Sequence, residues 1–215
     1  MAKAPKSAPD PRSMLSMPPD LSAPEDLYIV HHPAEVLRVQ CAEVTLTPAG
    51  AVPAQIKHII ERMVRVMRSE KGIGLAAPQI GVPLRIFIAD VPEDEGDPEE
   101  GDEPRSASST PPQASRGLEV YINPVLSEVG KLSDVYEEGC LSLPNIRGRV
   151  RRPTEITITA HGLTGTRSKR RGAGLLSRCW QHECDHLDGI LILDRMLNAD
   201  RLKNRRKIKA LEGDN

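Results

Sequence analysis

The sequence predicts an α+β fold, and three observations carry that prediction. Helical and strand periodicities interleave along the chain without the regular strand–helix–strand repeat that a doubly wound sheet requires. Two segments alternate apolar and polar residues at the period of a strand. Only five aromatic residues occur, Tyr28, Phe87, Tyr121, Tyr136 and Trp180, so the one substantial core that 215 residues can build must be aliphatic.

Residues 1–26 are rich in Pro, Ser and Ala, with Lys3, Lys6 and Arg12 diluted by Asp10, Asp20, Glu25 and Asp26. This reads as a disordered N-terminal extension, because a transit peptide for organellar import would be poor in acid. From Pro53 to Ser69, Ile56, Ile59, Ile60, Met63, Val64 and Met67 recur at helical spacing, with Pro53 suited to a first turn and Gly72 just past the end. Pro83 to Asp90 alternates Leu84, Ile86 and Ile88, and Thr154 to Ala160 alternates Ile156 and Ile158; both predict half-buried strands. "VYIN" before Pro124 predicts a short strand. Ala173 to His186 predicts a second helix through Leu175, Leu176, Cys179 and Trp180, and a basic third helix runs from Asn198 toward Glu212.

Between these elements, Glu93 to Gly117 carries eight acidic residues against two arginines and no Val, Ile, Leu or aromatic residue. It reads as a solvated acidic insert with nothing to bury, removable without harm to folding. Its charge of −6, within a chain of net −1, leaves the remainder at +5. That balance argues against a protein relying on bulk charge to hold nucleic acid. The longest apolar runs, Gly72 to Ala77 and Gly189 to Leu193, are too short to span a bilayer. The four cysteines, Cys41, Cys140, Cys179 and Cys184, are unevenly spaced and read as free thiols of a reducing cytosol, with a metal ligand among them allowed.

"QHECDHLDG" (Gln181 to Gly189) lies in the second helix. There His182 and His186 project from nearly the same face one turn apart and can chelate one ion. Glu183 points about 100° away around the helix, a placement that suits a proton carrier better than a third ligand. Two histidines leave a divalent ion underligated. Downstream carboxylates (Asp188, Asp194, Asp200, Glu212, Asp214) are available, but the stronger third ligand is Cys140 in "EEGCLSLP", beside Gly139. "GIGLAAPQIG" (Gly72 to Gly81) reads as a tight loop offering the Gln79 amide; it lacks the residues of a phosphate loop.

Together and in this order, the three segments resemble the peptide deformylase family. Its motifs GxGxAAxQ, EGCLS and QHExDH correspond to Gly72, Gly74, Ala76, Ala77 and Gln79; to Glu138 through Ser142; and to Gln181, His182, Glu183, Asp185 and His186. "LYIVHHPAEVLR" is similar to the family's opening, so the resemblance spans roughly Leu27 to Asn198. It implies mixed, mainly antiparallel strands packed around a central helix that carries the HExxH motif. It also implies a catalytic domain over 27–198; the N-terminal extension and the acidic insert at 93–117 depart from the family's common core, and a basic C-terminal helix or tail follows at 199–215.

The activity implied is hydrolysis of the N-formyl group from formyl-methionyl chains, releasing formate in a bacterial cytoplasm. By the resemblance, Cys140, His182 and His186 hold the metal, Glu183 is the catalytic acid–base group, and Gln79 and the Leu141 N–H bind the oxyanion. Gly74 pairs with the extended peptide, while Ile73, Tyr136, Leu175, Cys179 and the stem of Arg178 line a methionine pocket, the Arg178 head staying wet; Arg147 lies near the substrate. Ligand type alone would indicate zinc, whereas the resemblance implies Fe2+, with Zn2+, Ni2+ or Co2+ able to substitute. The basic helix looks like those of members that dock on the ribosome; no membrane and no sequence-specific nucleic acid are expected as partners. Two rivals make different demands: a zincin-type metallopeptidase would not need Cys140, and a non-catalytic ribosome-associated binding protein would not need Glu183.

Overall fold

A computed structural model describes residues 28–94 and 104–213; the N-terminal extension and residues 95–103 of the insert lie outside the described residues. The helices are α1 (Ala54–Ser69), α2 (Gly174–Leu187), α3 (Ile192–Arg195) and α4 (Asn198–Gly213). The strands are β1 (Gly74–Ala76), β2 (Ile86–Ala89), β3 (Glu119–Ser127), β4 (Ser133–Gly139), β5 (Arg147–Pro153), β6 (Glu155–His161) and β7 (Arg167–Ala173). Five strands form an antiparallel sheet in the order β1-β2-β3-β6-β7, and β4 pairs with β5 in a separate hairpin. The class is mixed α+β with antiparallel sheets, as the interleaved periodicities predicted.

The pleat of β2 assigns its side chains to two cores. Ile86 and Ile88 join Leu75, Ile122 and the apolar face of α1 (Ile56, Ile59, Ile60, Met63, Val66, Met67). Phe87 and Ala89 join Ala76, Tyr121, Leu176, Cys179, Trp180 and Cys184 beneath α2. The expectation of a half-buried β2 is therefore corrected: all four of its residues are buried, because a helix covers each face of the sheet. A third cluster, Leu143, Ile146, Val150, Ile192, Leu193, Met196 and Ile208, packs the hairpin against α3 and α4.

The strand expected to stop at "VYIN" continues through Pro124. The register shifts between Ile122 and Val125, so the proline without an N–H falls where the ladder is already interrupted. Asn123, at φ 50°, bonds Val44 through both its amide oxygen (2.8 Å) and nitrogen (2.9 Å). The strands β4, β5 and β7, "SDVYEEG", "RGRVRRP" and "RSKRRGA", gave no apolar alternation and were not expected. In β5, Arg147, Arg149 and Arg151 face out while Gly148, Val150 and Arg152 face in, so the buried partner of the alternation is itself an arginine.

The insert needs a second correction. Ala114 is fully buried and Ser115 nearly so. The carbonyls of Pro112 and Gln113 accept the N–H groups of Ala173 (2.9 Å) and Leu176 (3.2 Å), which satisfies donors at the start of α2 that no side chain caps. A segment without large apolar residues thus contributes through its backbone. The helix α4 is tied to the segment after β4: Asn204 Nδ2 donates to the Arg147 carbonyl (2.7 Å), and Lys207 Nζ donates to that of Asn145 (2.7 Å).

Trp180, the one tryptophan, is fully buried, and its Nε1–H donates to Tyr121 Oη at 2.9 Å. Its six-membered ring lies over Gly172, where a Cβ would stand 2.5 Å from Cζ3. Gly172→Ala is expected to destabilise the protein by roughly 1–3 kcal/mol, since neither the ring nor the β7 backbone can retreat in a packed core. Thermal unfolding followed by tryptophan emission checks this; an unchanged midpoint would mean that the core yields there.

Candidate active site

The site forms where three separate stretches meet. The first is β1 and the single helical turn Ala77–Ile80 that follows it. Gln79 is 2% exposed, and its Oε1 accepts the Ala76 N–H at 2.8 Å, which aims the amide nitrogen at the second stretch. Gln79 Nε2 lies 3.7 Å from Cys140 Sγ and 3.4 Å from Ser142 Oγ. The second stretch is the turn after β4, in which the Leu143 N–H donates to the Cys140 carbonyl at 2.9 Å. The leading segment ties these two together: the Val30 N–H donates to the Gln79 carbonyl (2.8 Å), and the His32 N–H donates to that of Ser142 (3.0 Å).

The third stretch is α2. Its helical spacing stacks the His182 and His186 rings with centroids 5.0 Å apart. One donor atom from each of Cys140, His182 and His186 falls within 4.8 Å of the others, and Cys140 Sγ is 3.2 Å from His186 Nε2. His182 Nδ1 is engaged by Glu138 Oε2 at 3.0 Å, which leaves Nε2 for the cluster. Burial, then the neighbouring His182, pushes the His186 imidazole well below its usual range, toward the neutral form that a ligand requires. These residues fit a divalent ion.

Beside the cluster, Glu183 is 4% exposed and its Oε2 has no hydrogen-bond partner among the described residues. Burial raises its carboxyl to about 7, against the opposing pull of His182 and Arg152. A Cβ on Gly74 would stand 2.5 Å from Glu183 Oε1 and 2.8 Å from Cys179 Sγ, so only glycine lets the carboxylate lie over the β1 backbone.

A cleft of about 510 Å³ opens in front of these groups. Ile73, Gly74, Gln79, Cys140, Leu141, Arg147, Leu175, Arg178, Cys179, His182 and Glu183 line it. His186 is buried and Tyr136 lies off the lining, 58% exposed, with the Arg178 guanidinium 5.8 Å from its ring centre. The expectation of a wet Arg178 head is corrected. The side chain is 8% exposed, with Nη1 donating to Glu138 Oε1 (2.6 Å) and the Val150 carbonyl (3.0 Å) and Nη2 pairing with Asp134.

Sequence reasoning named Glu138 only as a motif letter and missed Arg152 altogether. Arg152 is buried, donates Nε and Nη2 to the two Glu138 oxygens (2.6 and 2.9 Å), and donates Nη1 to Asp185 Oδ2 at 2.8 Å. Asp185 also takes Arg195 Nη2 at 2.8 Å. Burial alone would raise the Glu138 carboxyl; hydrogen bonds from His182 and Arg152 win and hold it well below the usual carboxylate range. The one available signal was the inward alternation of Gly148, Val150 and Arg152 beside an acidic strand.

Two histidines of an HExxH helix and a cysteine just past the end of a strand thus surround one position that could hold a metal ion. The sequence pattern of the polypeptide deformylase family matches residues 27–202. A peptide deformylase of Synechococcus sp. (strain CC9605) is 36% identical over 173 residues, 79% of this chain and 77% of the relative. A chloroplastic peptide deformylase 1B of Solanum lycopersicum is 32% identical over 92% of this chain and 63% of its own length. The crystal structure of peptide deformylase from Thermotoga maritima is 32% identical and superposes with a TM-score of 0.64, covering 79% of this chain and 96% of that one. A Plasmodium falciparum peptide deformylase in complex with an inhibitor gives 0.68 at 31% identity, over 85% and 97% of the two chains. The chain belongs to the polypeptide deformylase family, a family of metalloenzymes. It is an enzyme that removes the N-formyl group from nascent polypeptides. Among the described residues no helix is long and apolar enough to cross a membrane.

Glu138 offers a measurement independent of activity. Glu138→Gln leaves Arg152 and Arg178 short of a buried anion and is expected to cost about 3 kcal/mol at neutral pH. A depressed folded-state carboxyl stabilises above its unfolded value and loses that contribution as pH falls. The gap between wild type and variant should therefore narrow toward pH ~3, as read by denaturant unfolding at the two pH values. A gap that stays constant would show that the carboxylate's charge is not what stabilises the site.

Proposed function

We propose that Cys140, His182 and His186 hold a single Fe2+ ion and that Glu183 is the acid–base group for deformylation of formyl-methionyl chains. What supports this most is the convergence of three donor atoms within 4.8 Å beside a buried carboxylate oxygen that has no other partner among the described residues. The ion, when bound, supplies Lewis acidity that acidifies water and polarises the formyl carbonyl. Glu183 Oε2 takes the proton of the attacking water and returns it to the departing amine nitrogen. Gln79 Nε2, aimed by the Ala76 N–H, and the Leu141 N–H donate to the oxygen that gains charge, each donor of this type being worth about 2.7–4 kcal/mol.

The backbone at Gly74 and near Cys140 pairs with the extended peptide, so recognition beyond the first residue is largely independent of sequence. Ile73, Leu175 and Cys179 accept the methionine side chain, and Arg147 stands at the rim, its side chain 72% exposed. Iron is preferred over zinc by family likeness, and Zn2+, Ni2+ or Co2+ substitute in the same donor set. The exposed Arg201, Lys203, Arg205, Arg206, Lys207 and Lys209 of α4 suit docking to the ribosome, in the cytoplasm.

Two variants separate ligand from base. Cys140→Ala is expected to lower metal occupancy and formate release together, since two histidines hold a divalent ion poorly. Glu183→Gln is expected to keep about one metal per chain while turnover falls roughly 10²–10⁴-fold. Metal analysis and a formate assay on anaerobically purified protein decide; retention of metal by Cys140→Ala and its loss by Glu183→Gln would reverse the two roles. The iron assignment predicts that air exposure abolishes activity and that nickel or cobalt replacement gives an enzyme that survives it. Equal rates for aerobic zinc protein and anaerobic iron protein would overturn the preference for iron.

A further inference from the structure

Glu138 takes two guanidinium groups where one would match its charge. Arg152 reaches it from β5, with Nε on Oε1 (2.6 Å) and Nη2 on Oε2 (2.9 Å). Arg178 comes from α2, its Nη1 donating to the same Oε1 at 2.6 Å, and all three side chains are buried. The other oxygen, Oε2, also faces His182 Nδ1 at 3.0 Å. Arg178 and His182 stand four residues apart on one face of α2, so the helix presents a cation and a metal-ligand candidate to the two oxygens of one carboxylate. The anions that share these arginines are Asp185 and Asp134; the Asp134 side chain is half-exposed, so water screens its charge while the bond at Glu138 is buried. A carboxylate behind a histidine ligand raises that ligand's basicity and feeds negative charge toward the ion. Cations bonded to the carboxylate oppose this, most strongly where water is excluded.

We propose that Arg178 is a positioning residue that acts on the metal position through Glu138. By drawing charge from that carboxylate it weakens the electron donation of His182, which keeps a bound ion more acidic and, where the ion is iron, favours the ferrous state. The proposal deepens the metal reading above and rests on the set Cys140, His182 and His186, whichever metal is native. A brace without electrostatic effect behaves differently: any donor that holds Glu138 Oε1 serves equally well, charged or neutral.

The test is the midpoint potential of the full-length protein loaded anaerobically with iron, measured by mediated redox potentiometry, each Fe2+ giving one electron to the mediator. Wild type is compared with Arg178→Gln, which keeps a donor without charge, and Arg178→Lys, which keeps the charge. At a fixed potential Arg178→Gln is expected to hold about tenfold more Fe3+ relative to Fe2+ than wild type, a midpoint about 59 mV lower for a one-electron couple. Arg178→Lys is expected to stay within about threefold of wild type in the same ratio. Iron content and thermal unfolding establish that each variant is loaded and folded. An unmoved midpoint in Arg178→Gln, or an equal fall in Arg178→Lys, would overturn the proposal and leave Arg178 a brace. Should both variants fail to fold or to hold iron, Asp134→Asn decides, because it leaves the guanidinium to Glu138 while the lost charge is itself screened. Its ratio is expected to move about twofold the other way, and a midpoint unmoved or lowered would overturn the proposal. Wild type that takes up no iron would refute the ligand set for iron and this proposal with it, whereas wild type that holds iron with a midpoint indifferent to Arg178 refutes this proposal alone.

Discussion

The arrangement turns on one buried carboxylate. Glu138 stands next to last in β4, the hairpin strand that leads into Cys140, and it accepts from Arg152 on the next strand and from Arg178 and His182 on α2. Taking a carboxylate out of water is expensive, and the cost is offset only where its lone pairs are filled by charged donors. Filling them requires the hairpin to lie against α2 in one register. The interaction that neutralises Glu138 therefore also sets where Cys140 stands relative to the histidines and which nitrogen of His182 faces the cleft.

The five-stranded sheet supplies the rest of the rigidity. Because β2 sends alternate side chains to α1 and to α2, the two helices cannot shift independently of β1, and β1 carries Gly74 under the Glu183 carboxylate. The backbone of residues 112–113 holds the start of α2 from the outside. Groups drawn from positions 74, 79, 140 and 183 thus share one frame although they are remote in the chain, which is what a site needing sub-ångström placement of donors requires.

Much of this could be read from the residues alone. The Ile and Met spacing of α1 and the apolar alternation of β6 follow from burial against a core, and the HExxH geometry follows from helical pitch. The strands β4, β5 and β7 escaped because their pairing rests on crossed charges, such as Arg171 with Glu155, and on a buried arginine, which no apolar pattern reports. The packing of Ala114 escaped because the insert contributes backbone carbonyls and one methyl group, while composition weighs side chains. In the site, the shared face of His182 and His186 was legible from helical spacing and Cys140 from the likeness of its motif, whereas the burial of Arg178 depends on a partner forty positions earlier in the chain.

Among the described residues the sheet order leaves β7 as an outer strand, paired on one side only, with Arg167, Lys169 and Arg171 exposed along it. The carboxylates that answer Lys169, Arg170 and Arg171 are those of Glu128, Glu119 and Glu155, which belong to the preceding strands and the turn after β3. Extending the ladder along this border would bring a further strand against side chains that are charged and paired in place of apolar. Charged side chains on an outer strand, in place of an apolar row, let a sheet end in water without a covering element.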